Sequence, residues 1–183
     1  MKNLNYLRIS GIALALAGLS MILIENISVE TAKVLVPVLI IASGFFSYLF
    51  SSKNSHFRLA KQYHLIQAIG LTTCGLLVAM LPQSLEDFLT YIAYFVLLSG
   101  FLEFSFAFMV LNMKIKVINW GMLISRFVAA MASFISAIVL LLNTISNPLT
   151  GLLIAGIVTI IGGLSIVVFA SKIKHADPTN FAE

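Results

Sequence analysis

Six runs of about 20 residues, each almost free of charge, constrain this chain more than any other feature of its sequence. They cover about residues 6–24, 32–52, 63–81, 88–111, 118–142 and 149–171. A helix rises ~1.5 Å per residue, so each run is long enough to cross a hydrocarbon layer ~30 Å thick. The runs are continuously apolar rather than alternating, which fits helices and not the strands of a membrane barrel. Composition agrees. Of 183 residues, 60% are hydrophobic and 10% charged, whereas a soluble domain has about 45–50% and about 25%. The expected fold class is all-α: a polytopic membrane helix bundle with six transmembrane helices in the lipid bilayer. Pro37 falls near the start of the second run, where proline is tolerated in a first turn and kinks a helix further in.

The loops alternate in charge. Lys2 and Arg8 stand at the start of the first run, Lys53, Arg58 and Lys61 follow the second, Lys114 and Lys116 follow the fourth, and Lys172 and Lys174 follow the sixth. The opposite loops carry Glu25, Glu30, Lys33, Glu86 and Asp87, and no charge over 143–148. Nine basic residues on one face against one on the other predict that both termini are cytoplasmic. The net charge of +4 is then a topology signal, and nucleic acid is not an expected partner. The N-terminal run has the basic flank of a signal peptide but no small-residue cleavage site, so it reads as a retained span. Cys74 is the single cysteine, which excludes an internal disulfide. One transmembrane domain is expected over 1–175, followed by a short polar cytoplasmic tail over 176–183.

Two charges fall deep inside the runs, well away from their ends. Glu103 lies in the fourth and Arg126 in the fifth, on either side of the basic turn Asn112-Met113-Lys114-Ile115-Lys116. Folded about Ile115, they sit at nearly equal depth, given ~1.5 Å per residue. An unpaired charge at mid-membrane costs at least ~2.5–3.5 kcal/mol. Three readings follow. The two form a bidentate structural pair between neighbouring helices. Or Arg126 snorkels to the headgroups without Glu103. Or Glu103 is a proton or cation site gated by Arg126, as intramembrane ionisable groups often are. Both charges share a helix face with small residues, Ser99, Gly100 and Ala107 around Glu103 and Ala129, Ser133 and Ala137 around Arg126. This predicts that they point into the bundle, with most of Phe95, Phe101, Phe104, Phe106 and Phe108 pointing out. Gly11 and Gly18 also share one face, spaced for close helix approach.

The histidines His56, His64 and His175 read as interfacial residues near the basic face, although a histidine there could sense acid. Tyr6, Tyr48, Tyr63 and Trp120 read as an aromatic belt at the cytoplasmic ends, with Tyr91 and Tyr94 toward the other interface. No Ser–His–Asp set, metal-ligand cluster or phosphate-binding glycine loop is present in the sequence. The chain is therefore expected to be no enzyme, with no catalytic residue, metal or other cofactor. Beyond lipid, the partner classes open to it are a second copy and another membrane protein.

The runs also repeat. Taken as hairpins over about 6–52, 63–111 and 118–171, their second helices share the kernels Ser43-Gly44-Phe45-Phe46, Ser99-Gly100-Phe101-Leu102 and Gly162-Gly163-Leu164-Ser165. Ala17-Gly18-Leu19 aligns with Cys74-Gly75-Leu76, and Leu7-Arg8-Ile9 with Ser125-Arg126-Phe127. A basic residue, a glycine, a second glycine seven on, a short turn and a helix with a central glycine form a pattern that resembles the HdeD acid-resistance membrane proteins. The residues that carry it are Arg8, Gly11, Gly18 and Gly44, then Gly75, Pro82 and Gly100, then Pro148 and Gly163, between Tyr6 and Lys172. The chain departs from it at Glu25-Asn26, where a proline would stand, and at Ser136, where the first two hairpins have glycine. The resemblance implies a multi-pass protein of the bacterial inner membrane linked to acid or envelope stress, and it supplies no catalytic residues.

Overall fold

The computed structural model describes residues 3–54, 58–112, 120–142 and 147–173. These form α1 (Leu4–Ile22), a single turn α2 (Ile24–Ile27), α3 (Val29–Lys53), α4 (Arg58–Met80), α5 (Leu85–Asn112), α6 (Trp120–Leu141) and α7 (Pro148–Ile173). All but α2 are long and apolar enough to cross a membrane. Among the described residues there is no strand. Lys2, Lys114, Lys116, Lys174, His56, His175 and the tail over 176–183 lie outside the described residues.

The helix starts follow from local polar chemistry. Ser28 caps α3 by accepting a hydrogen bond from the Thr31 N–H at 3.3 Å. Its φ of 73° turns the corner between α2 and α3. At α5, Ser84 Oγ accepts from the Asp87 N–H and Asp87 Oδ2 accepts from the Ser84 N–H, at 3.0 and 3.1 Å. This reciprocal box satisfies two donors that the first turn leaves bare. At α7, Asn147 Oδ1 accepts from the Leu149 N–H at 2.9 Å, with Pro148 in the first helical position, where its missing N–H costs nothing. Pro37 lies inside α3, just over two turns from its start, and the helix runs on through it.

Each long helix packs on the next, and α1 closes on α7; α5 also crosses α7. The most extensive packing joins α1 to α7, α3 to α4 and α5 to α6, so it runs between the predicted hairpins more than within them. Small residues make these approaches possible. A Cβ at Gly11 would lie 2.6 Å from the Gly163 carbonyl oxygen, and one at Gly163 would lie 2.5 Å from that of Gly11. Gly18 and Gly156 repeat the relation at 2.5 and 2.6 Å. The two helices therefore touch backbone to backbone at two points seven residues apart. Gly44 faces Ala68 and Thr72, Gly75 faces Pro37 and Ile41, and Gly100 faces Ala130 and Ser133. In lipid, apolar side chains gain little by leaving solvent, and such close van der Waals contact drives association. Hydroxyls add to it: Ser10 Oγ donates to the Ser43 carbonyl at 2.9 Å and lies 2.9 Å from Ser47 Oγ, all three residues buried.

The contrast between Gly163 and its neighbour tests this packing. A Cβ at Gly162 meets nothing nearer than Leu14 Cδ2 at 4.0 Å. Gly163→Ala is expected to destabilise the bundle by about 1–3 kcal/mol, the usual cost of overpacking. Gly162→Ala is expected to stay within about 0.5 kcal/mol of the parent. Thermal unfolding of the two purified variants in detergent checks both.

Candidate functional site

Arg126 stands six residues into α6, and Glu103 nine residues before the end of the antiparallel α5. The close approach of Gly100 to Ala130 and Ser133 brings the two helices together between them. Arg126 is 0% exposed and Glu103 4%. Arg126 Nη1 donates to both carboxylate oxygens of Glu103, at 2.6 and 2.7 Å. The predicted pair is therefore present and internal, and Arg126 does not snorkel. Its geometry differs from the expected two-nitrogen fork, since one nitrogen serves both oxygens.

The reason lies in what surrounds the rest of the guanidinium. Its Cζ is 4.5 Å from the centroid of Phe106 on α5 and 5.1 Å from that of Phe169 on α7. At these distances ring faces attract a cation, by about 2 kcal/mol or more when water is excluded. The two rings meet edge to face at 4.8 Å, and Phe106 meets Tyr63 of α4 at 4.6 Å. Tyr63 also flanks the guanidinium, as Ser165 of α7 flanks the carboxylate. Four of the long helices thus surround one ion pair.

Tyr63 and His64 correct two expectations. Both are enclosed by the bundle and not on its surface: Tyr63 is 2% exposed and His64 0%. The apolar run begins at 63, but α4 begins at Arg58, so both side chains sit more than a turn inside the helix. His64 packs on Phe50 of α3 at 4.9 Å, and its Nδ1–H donates to Gln67 Oε1 at 2.9 Å. Phe95 and Phe106 are buried, against the outward trend that Phe101, Phe104 and Phe108 do follow. Tyr48 and Trp120 are exposed near helix ends, Tyr94 is exposed more than two turns inside α5, and Tyr6 and Tyr91 are half-buried.

Among the described residues, Arg126 Nε and Nη2, Tyr63 Oη and His64 Nε2 are buried without a hydrogen-bond partner. Beside the pair lies a cavity of about 20 Å³. Glu103, Gln67, Ser99, Ser133 and Thr159 supply its polar lining, and leucines, valines and Gly162 complete it. Among the described residues no group of His, Cys, Asp and Glu side chains forms a metal site. Of the predicted packing glycines, Gly11, Gly18, Gly44, Gly75, Gly100 and Gly163 all stand at helix contacts. Gly156, at a backbone contact of the same kind, is not among the predicted glycines; it stands seven before Gly163, the spacing of Gly11 and Gly18. No protein-family model, curated protein or solved structure matches the chain.

The pair sets an energetic expectation. Glu103→Ala and Arg126→Ala each strand a buried charge and are expected to cost about 3–5 kcal/mol. The double variant is expected to cost clearly less than the sum, because no lone charge is left. Unfolding free energies for the four proteins close the cycle, and strict additivity would show that the two groups do not interact.

Proposed function

We propose that this chain is a non-enzymatic, HdeD-like integral protein of the bacterial inner membrane, a membrane scaffold serving acid or envelope-stress protection. One observation carries the non-catalytic part: Arg126 is wholly buried, bonded to Glu103 and faced by two aromatic rings. A guanidinium held on three sides is built to stay where it is. In this role the pair fastens α5 to α6, and the rings tie both to α4 and α7. The resemblance of the glycine pattern supports the family reading. A recurring contact supports the threefold repeat. Gly163 faces Gly11 and Ala15, Gly44 faces Ala68 and Thr72, and Gly100 faces Ala130 and Ser133. In each case a glycine of one helix meets two small residues, three or four apart, on its neighbour.

A second reading is a small proton, ion or solute channel or transporter that uses Glu103 and Arg126. The cavity that reaches Glu103 favours it. A flux assay in proteoliposomes separates the two. The scaffold reading expects no proton or solute flux above protein-free vesicles, with Glu103→Gln lowering thermal stability only. Flux that Glu103→Gln abolishes would establish transport instead.

The orientation is part of the proposal, with both termini cytoplasmic. In a background with Cys74 replaced, a cysteine at Glu86 is expected to react with an impermeant reagent added outside intact cells. A cysteine at Lys172 is expected to react only after the membrane is opened. The reverse pattern would invert the topology.

A further inference from the structure

We infer that the cavity beside Glu103 is an internal hydration site that holds a single water molecule between α4, α5, α6 and α7. Its polar walls come from four helices: Gln67, Ser99 and Glu103, Ser133, and Thr159. Gln67, Glu103, Ser133 and Thr159 are each at least nine-tenths buried, so these groups face one another and not a bulk phase. The Ser99 hydroxyl is buried and has no hydrogen-bond partner among the described residues. A buried hydroxyl in that state is costly, and the cavity it lines is where a partner for it can stand.

Size and charge decide the ligand. One water needs roughly 10–15 Å³ of such volume and two to four polar partners, and the cavity offers about 20 Å³. A cation would have to be held by Glu103, but Arg126 already neutralises that carboxylate. The cation's charge would then be left uncompensated in a medium where that is most expensive. An anion would face the carboxylate directly. A neutral molecule that both donates and accepts fits all the walls. It can donate to Glu103 and to Thr159 Oγ1, whose own proton goes to the Ala155 carbonyl, and it can accept from Ser99. The site therefore completes the solvation of a carboxylate whose two oxygens share one arginine nitrogen. This holds whether the pair serves a scaffold or a pathway.

The sign of one substitution tests it. With water present, Ser99→Ala removes one of the water's partners and lowers the Tm of the purified full chain in detergent. With a dry cavity, the same change deletes an unsatisfied hydroxyl, and the Tm stays level or rises, which would overturn the inference. A cation is excluded or revealed by comparing the parent protein in sodium chloride and in choline chloride at equal ionic strength. Equal Tm values are expected, and a sodium-specific rise would replace water by a metal ion. An experimental structure at a resolution that shows ordered solvent gives the direct answer. Density within hydrogen-bonding reach of Ser99 Oγ and Glu103 is expected, and its absence would refute the site.

Discussion

A guanidinium cannot be left bare inside a bilayer-spanning bundle, and most of the arrangement around α5, α6 and α7 answers to that fact. Arg126 stays charged under any ordinary condition, so the protein must supply what water would have supplied. Glu103 provides the countercharge through Nη1. Phe106 and Phe169 provide electron-rich faces for the rest of the group. Two suppliers sit on α5 and the third on α7, and so the position of one α6 side chain fixes the relation of three helices. A buried ion pair often adds little net stability over an apolar replacement. What it does here is specify: a slipped α5 or α6 would leave both charges unpaired.

Small residues make that specification possible. Glu103 and Arg126 can meet with short hydrogen bonds only because Gly100 lets α6 come within backbone distance of α5. The same device recurs where no charge is present, between α3 and α4 and between α1 and α7. The serine cluster of Ser10, Ser43 and Ser47 fastens α1 to α3 with hydroxyls instead of charges. The bundle thus uses shape at every interface and polar chemistry at selected ones.

The membrane-spanning helices were legible because apolar run length depends on bilayer thickness and little else. The pair of Glu103 and Arg126 was legible for a similar reason, since equal depth on neighbouring helices can be counted along the chain. What escaped was everything that depends on where a helix begins beyond its apolar stretch. Residues 58–62, with Arg58, Lys61 and Gln62 among them, carry α4 back beyond the apolar run, and Tyr63 and His64 lie in the core. The aromatic faces of Phe106 and Phe169 escaped as well. Nothing in the spacing of phenylalanines tells a lipid-facing ring from one that covers a cation on another helix. Pro37 was the reverse case: it threatened the second span, and α3 absorbs it.

The reciprocal glycine contacts between α1 and α7 carry a consequence for biogenesis. The ribosome releases α1 before the other long helices and α7 after them, yet these two share the most intimate contact in the bundle. Until α7 inserts, the glycine face of α1 has only lipid against it. The packing of α1 on α3, with the Ser10 bonds inside it, is then what holds the early helix in place. Closure of the bundle is thus a late event of synthesis, and a nascent chain stalled before α7 would present an unclasped flank to its neighbours in the membrane.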